Sequence, residues 1–363
     1  MQRLRVPVLI AVLAVVAAAC GGGGDGGGTG GGGEGGGTEE GCTTDFQVGV
    51  AYDIGGLGDK SFNDAAKAGL DRAIADGLVD EACTTVNEAD ATGSNRDANV
   101  QALAEGGYDL VVGVGFAFSE GIAALSNEYP DTNFMIVDGY SAFVDADQDG
   151  TPDAGPNVAD YVFSEQEGSF LVGAAAALKC ECDTIGFLGG QTGFLIGKFE
   201  AGYTAGAQAV NPDINVLVEY IGDTTAAFND PTSGGALSNQ MYDDGAEVVY
   251  HASGASGAGL FNAAVAKGKW AIGVDSDQYN LVSAEQQPWV LTSMIKRVDT
   301  AVYEAIAATK DGSFSSGQRV FGLADDGVGY STANAELTSD ITEQLEAYRE
   351  QIIAGTIVVP VEP

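Results

Sequence analysis

The sequence predicts an α/β fold with parallel sheets, divided between two lobes. From residue 46 onward, short apolar runs alternate with amphipathic stretches of helical length, the pattern of buried strands joined by right-handed crossovers. Roughly 320 residues follow the N-terminal region, more than one ordinary domain holds. The apolar runs end in small residues and carboxylates, first in one half of the chain and then in the other.

The chain starts with Arg3 and Arg5, then an unbroken apolar run over residues 8–19. That run has the length of a signal-peptide core and is too short to span a bilayer as a helix. It closes on Ala17-Ala18-Ala19-Cys20, which resembles a bacterial lipobox. Residues 1–19 are therefore expected to be a signal peptide. Cys20 is expected to be lipidated and to hold the protein at the cell membrane on the extracytoplasmic side. Residues 20–43 form the lipidated, glycine-rich tether. Its roughly 21 flexible residues reach about 25 Å as a coil.

Strands are expected at 46–52, 84–87, 110–114, 133–137, 158–162, 184–188, 215–220, 248–251, 270–274, 290–293 and 358–359. Helices are expected at 63–76, 96–105, 119–128, 166–178, 197–210, 232–244, 257–266, 296–309 and 341–353. In open α/β sheets ligands sit beyond the carboxyl ends of the strands. Here those ends read Asp53-Ile54-Gly55-Gly56, Gly113-Val114-Gly115-Phe116, Asp138-Gly139, Gly189-Gly190, Ser253-Gly254 and Asp275-Ser276-Asp277. Two such ends facing each other make a cleft. One lobe is expected over residues 44–162 and 276–313, the other over 163–275 and 314–363.

The formal net charge is −37, and loss of residues 1–19, with Arg3 and Arg5 and no acid, moves it to −39. Such a body repels nucleic acid and anionic lipid, so attachment to a membrane has to be covalent. Beyond Cys20 there are four cysteines, an even number in an exported chain. Cys42 and Cys83 each precede a predicted strand, and neighbouring parallel strands would bring them together. Cys180 and Cys182 suit a tight local disulfide.

The segment Gly55-Gly56-Leu57-Gly58-Asp59-Lys60-Ser61-Phe62-Asn63-Asp64 is a glycine-rich strand-to-helix turn without P-loop or G-x-G-x-x-G spacing. Phe62 stands at a helix start, where a ring either projects into a cleft or staples the helix. His251 is the one histidine, and no Gly-x-Ser-x-Gly elbow occurs, so no catalytic set assembles. Asp145, Asp147, Asp149 and Asp153 alternate around Gly150 as a calcium loop does, although Pro156 stands where a bidentate Glu belongs. A structural calcium ion or a solvated acidic turn both fit. No other cofactor is expected.

Asp59-Lys60-Ser61-Phe62-Asn63, Phe187-Leu188-Gly189-Gly190, Phe199-Glu200-Ala201-Gly202-Tyr203, Phe228-Asn229-Asp230-Pro231, Gly273-Val274-Asp275-Ser276-Asp277-Gln278 and Leu291-Thr292-Ser293-Met294-Ile295-Lys296-Arg297 occur in this order. With them the chain resembles the basic membrane protein (BMP) family, substrate-binding lipoproteins of ABC transporters for purine nucleosides. The resemblance covers roughly residues 46–360. It implies a type I periplasmic-binding-protein fold, two Rossmann-like lobes with parallel sheets joined by three hinge crossovers. It further implies a base stacked between Phe62 and Phe228 and hydrogen-bonded on its edge by Asn63 and Asp138. Asp275 and Lys296 would hold the ribose hydroxyls, Gly254 would allow close backbone approach, and Asp59 and Ser61 would complete the ligand set. The implied partners are guanosine, inosine or adenosine and an ABC permease; no nucleic acid and no enzymatic step are implied. A sugar sensor of the same fold and a nucleoside hydrolase are the competing readings. The 145–153 insertion, the Cys180/Cys182 pair and the long tether depart from the family pattern without touching a ligand contact.

Overall fold

The computed structural model describes residues 41–363, Thr43 and Glu181 excepted. The expected signal peptide, Cys20 and the tether up to residue 40 lie outside the described residues.

Five strands, β1 (Val48–Tyr52), β2 (Thr84–Glu88), β3 (Leu110–Val114), β4 (Asn133–Val137) and β5 (Val158–Phe163), alternate with α1 (Phe62–Ala75), α2 (Arg96–Glu105) and α3 (Ser119–Ser126). The pattern then repeats. Helix α4 (Glu165–Cys180) leads into β6 (Thr184–Gln191), α5 (Phe194–Val210), β7 (Asn215–Gly222), α6 (Pro231–Asp243), β8 (Val248–Ala252), α7 (Gly257–Lys267), β9 (Trp270–Asp275) and β10 (Val290–Lys296). The chain finishes with α8 (Val298–Asp311), β11 (Gly317–Phe321), β12 (Val328–Tyr330), α9 (Ala335–Thr338) and α10 (Thr342–Ile353).

The first sheet runs β11-β5-β4-β3-β1-β2 and the second β12-β10-β9-β8-β6-β7. All pairs are parallel except β10 with β12. Each lobe thus repeats the doubly wound order 2-1-3-4-5, whose ligand crevice lies at the reversal between its first and third strands. The central strands β1, β3 and β8 are buried along their whole length, as helices on both faces require. The chain passes between lobes three times: at Ser164 between β5 and α4, at Arg297 between β10 and α8, and between β11 and β12. The crossings are tied together, since Ser164 N donates to Phe321 O at 2.9 Å and Arg297 N to Gly327 O at 2.9 Å.

Helices α4 and α5 approach backbone to backbone. A Cβ on Gly202 would stand 2.1 Å from Gln166 O, and one on Gly206 would stand 1.9 Å from Phe170 O. Only hydrogen fits there, and this close approach carries Lys198 and Phe199 of α5 to the cleft. None of the described helices is long and apolar enough to cross a membrane.

Two expected boundaries move. Residues 290–296, assigned to the first lobe, pair with β9 in the second sheet, and 317–321, assigned to the second lobe, pair with β5 in the first. A strand's own sequence marks it as a strand but not which sheet receives it. No strand forms at 358–359, where Val358 is 85% exposed. Strand β11 escaped sequence reading because it is an edge strand with four of five residues exposed.

Cys42 is joined to Cys83 and Cys180 to Cys182. The first bridge follows from the parallel pairing of β1 with β2, in register at Val48 and Thr84.

Candidate functional site

Strand β1 ends at Asp53, and the chain then turns through Gly55, Gly56, Gly58 and Lys60, all at positive φ. The turn closes on Asp59, whose carboxylate caps α1. Its Oδ1 accepts from Ser61 N and Asp64 N at 2.9 and 3.1 Å, and its Oδ2 from Asn63 N and Asn63 Nδ2 at 2.8 and 3.1 Å. Burial still pushes the Asp59 carboxyl upward against these donors. Asp59 therefore shapes the turn, with its oxygens already taken. Asn63 Oδ1 in turn accepts from Asp53 N at 3.1 Å, and Phe62 is released toward the cleft.

A cavity open at its mouth lies between the lobes. The first lobe lines it with Asp53, Phe62, Asn63, Phe116 and Asp138, and the second with Phe199, Phe228, Gly254, Asp275 and Lys296, among others. Of the residues anticipated from sequence, Ser61 alone is absent from this lining. Its hydroxyl is turned across the cleft and donates to Asp275 Oδ2 at 2.5 Å. Phe228 lies over Gly190, where a Cβ would stand 2.5 Å from the ring, and Gly254 takes φ 56° beside it. Both glycines leave room that a side chain would fill.

Lys296, at the end of β10, is 2% exposed. Its Nζ stands 2.6 Å from Asp138 Oδ2 and 3.0 Å from Glu165 Oε1, with the rings of Phe163, Phe62 and Phe199 at 5.0, 5.2 and 5.5 Å. Lys198 pairs with the other oxygen of Glu165. Burial opposes the Lys296 charge, but Asp138, Glu165 and Asp275 outweigh it and hold the ammonium above its ordinary pKa. Burial pushes Asp275 up to about 6 against the pull of Lys296 and the Ser61 hydroxyl. It pushes Asp138 up to about 6 as well, again against Lys296. Glu165 feels the same burial, yet Lys296 and Lys198 together hold it below the usual carboxylate range.

Asp138, expected beside Asn63 on a base edge, lines the same cavity as Asn63 and accepts from Lys296 Nζ at 2.6 Å, because β4 and β10 end facing each other across the cleft. It also brings in residues not singled out: Asp53, held by Arg96 Nε at 2.5 Å, Phe116, Phe199 and Glu165. Asp53 had a visible signal in its position at a strand end. Glu165 had none, since its partners lie on α5 and β10.

Further hydrogen bonds span the lobes. Ser276 Oγ donates to Ser61 O at 3.1 Å, Gln278 Nε2 to Lys60 O at 3.0 Å, and Arg96 Nη2 to Thr225 Oγ1 at 3.0 Å. His251 stands behind the wall, fully buried. Burial lowers its pKa to about 4, and its ring nitrogens meet Ser253 Oγ and Gln278 Oε1 at 3.1 and 2.9 Å. It is a neutral structural imidazole. The cavity lining holds no His, Cys or Ser.

On the surface, Asp145, Asp147 and Asp149 each offer an oxygen within 4.8 Å of the others. Asp153 stands apart from that cluster and accepts from Ala146 N at 2.7 Å.

This arrangement, two lobes enclosing a cavity with rings and buried charges at its walls, is suited to capturing a small solute. Residues 46–362 match the family model described as ABC transporter substrate-binding protein PnrA-like (Bmp). The chain is 32% identical over 369 residues to the CD4+ T-cell-stimulating antigen of Listeria innocua, covering 98% of this chain and 97% of that one. It is 33% identical to the ABC transporter nucleoside-binding protein BmpA of Lactococcus lactis, covering 87% and 90%. A solved structure, the ABC transporter solute-binding protein of Aeropyrum pernix K1, superposes with a TM-score of 0.71 at 28% identity, covering 87% of this chain and 94% of that one. The chain belongs to the Bmp family and is a PnrA-like substrate-binding protein of an ABC transporter, which binds its solute outside the cytoplasm and does no chemistry on it.

Proposed function

We propose that the cleft binds a purine nucleoside, guanosine, inosine or adenosine, for delivery to an ABC permease. The observation that carries this reading is a cavity lined by phenylalanines from both lobes, Phe62 and Phe116 from the first and Phe199 and Phe228 from the second, together with a buried Asp–Lys set. A purine is a flat π-face, and stacking on an aromatic side chain contributes about 1–3 kcal/mol per base. Asn63 and Asp53 line the cavity and offer the polar groups a base edge needs. Asp275, Lys296 and Asp138 offer a carboxylate-and-ammonium set that complements the donors and acceptors of a ribose diol. Asp138 moves in this reading from the base to the sugar. The printed name of the Lactococcus relative, a nucleoside-binding protein, favours the same ligand class.

Titration calorimetry with guanosine, inosine, adenosine and ribose tests the proposal. Micromolar or tighter nucleoside binding without turnover is expected (about −8 kcal/mol). Binding of ribose alone, or hydrolysis of the nucleoside, would sink it.

Cys20 is proposed as the lipid anchor. A Cys20→Ala variant should take up no labelled fatty acid in cells, and continued labelling removes the anchor. The 145–153 loop is proposed to clip a calcium ion through Asp145, Asp147 and Asp149. In the structure all three carboxylates accept backbone N–H groups of their own loop, Asp149 N to Asp145 at 3.0 Å and to Asp147 at 3.1 Å, and Thr151 N to Asp149 at 2.8 Å, leaving other lone pairs for a hard cation. Calcium should raise the melting temperature by a few degrees (about 1 kcal/mol), and identical melting curves in calcium and in chelator would remove the claim.

A further inference from the structure

Arg96, at the start of α2, lies outside the cavity lining yet touches both lobes. Its Nε donates to Asp53 Oδ1 at 2.5 Å in its own lobe, and its Nη2 to Thr225 Oγ1 at 3.0 Å in the other. Thr225 opens the short turn Thr225–Asn229 that carries Phe228. Both ends of this contact are anchored. On the first side Gly93 stands at φ 70°, and a Cβ there would lie 2.1 Å from Arg96 Nη1, so the guanidinium occupies the place of a side chain. Asp90 Oδ1 ties that loop together by accepting from Thr92 N at 2.8 Å and Ser94 N at 3.1 Å. On the second side Ser256 Oγ donates to Ala227 O and accepts from Asp230 N, both at 2.7 Å, so the turn moves with its lobe. The topology gives the contact leverage. Helix α2 follows β2 and the turn follows β7, each at one edge of its sheet, whereas the three crossings leave from β5, β10 and β11 at the opposite edges. When two lobes part about a hinge, the edges farthest from it separate most.

We propose that Arg96 is a positioning residue for solute capture, a clasp that fixes the Asp53 carboxylate from behind and holds the Phe228 turn of the second lobe against the first. Asp53 Oδ1 is taken by Arg96 Nε and by Ile54 N at 2.7 Å, which leaves Oδ2 to the cavity. A Cβ on Gly115 would stand 3.3 Å from that Oδ2 and 3.6 Å from the Phe62 ring, so the oxygen and the ring share the space over Gly115. Burial pushes the Asp53 carboxyl upward, and the guanidinium draws it back. Arg96 serves two acceptors at once through its planar fork, which a lysine ammonium on a flexible stem does not reproduce. Neither Arg96 nor Thr225 lines the cavity. The clasp therefore acts on retention, since a solute leaves only after the lobes part at this edge. The inference rests on the nucleoside reading for its probe, guanosine.

Surface plasmon resonance of guanosine over the immobilised protein tests this. Thr225→Val should raise the dissociation rate about fivefold to tenfold and leave association within about twofold, and Thr225→Ser should restore the original rate. Arg96→Lys keeps a charge beside Asp53 without the reach to both lobes, and should weaken affinity about tenfold or more. Adding Thr225→Val to it should weaken binding by less than about twofold further, because the two side chains act as one contact. An unchanged dissociation rate in Thr225→Val, or losses that multiply in the double variant, would overturn the clasp. If the unaltered protein does not bind guanosine, the nucleoside reading falls, and amide hydrogen exchange of the unliganded chain decides the clasp. Thr225→Val should then exchange about threefold faster over residues 53–62 and 222–229, with β3 and β8 unchanged; equal exchange throughout would overturn it.

Discussion

In each lobe the fourth strand ends on an aspartate in the left-handed region, Asp138 after β4 at φ 61° and Asp275 at the end of β9 at φ 62°. Aspartate tolerates that conformation better than most side chains, though at a cost. Both are buried, and burial pushes both up to about 6. Their partners differ. Asp138 receives the Lys296 ammonium from the opposite lobe, whereas Asp275 receives the Ser61 hydroxyl. One backbone device, repeated by the doubled topology, thus closes the cleft by an ion pair on one side and a neutral donor on the other. The fold supplies the positions twice, and the side chains that reach across make the two halves of the pocket unlike.

The largest test of that asymmetry is Lys296→Met. It strands Asp138 in the interior and leaves Glu165 to Lys198 alone, which should destabilise the apo protein by about 3–5 kcal/mol in urea unfolding. Guanosine affinity should drop about 100-fold while guanine is hardly affected; an equal loss for both would show that the charged end does not hold the sugar. Next, Phe62→Ala and Phe228→Ala should each weaken nucleoside binding by about tenfold or more, the value of one stacking face. A loss confined to one of them would replace the sandwich by one-sided stacking.

The smallest effect is the pH dependence. Both carboxyls titrate higher in the folded chain than the ordinary 3.8. Between about pH 4 and pH 6 the folded state therefore binds more protons than the unfolded state, so apo stability rises as pH falls through that window. Nucleoside affinity should run the other way, weakening about tenfold per unit below pH 6 for each ionised carboxylate that binding needs. Asp275→Asn should remove its share of the stability rise and leave that of Asp138. An unchanged slope would mean that Asp275 does not titrate in this range.

Much of the pocket could be read before the fold was known, because strand ends in α/β sheets are sites by geometry. Asp138, Gly254 and Asp275 each follow or end an apolar run, Phe62 opens the helix after a glycine-rich turn, and all four line the cavity. Lys296 is implied by the family resemblance, in a segment whose strand is expected to stop at 293 but runs to Lys296 itself. Ser61 and Asp59 were harder to place. Their motif is plain, but whether a side chain faces ligand, caps its own helix or reaches the other lobe depends on partners remote in sequence. Asp59 is used up by N–H groups within five residues, Ser61 by a carboxylate 214 residues away. Glu165 was invisible for the same reason, a buried acid whose lysines come from two later elements.

The sequence by itself determined the alternation of strands and helices, because hydrophobic period is a local property of the chain, and it pointed to two lobes and to a Cys42–Cys83 bridge that the parallel pairing of β1 with β2 brings about. Only the tertiary structure decided that β10 belongs to the second sheet and β11 to the first, and that Asp138 meets Lys296. Those outcomes depend on which remote surfaces close on one another. Burial of a charge is tolerated only where its partner arrives, and that arrival is a property of the folded chain.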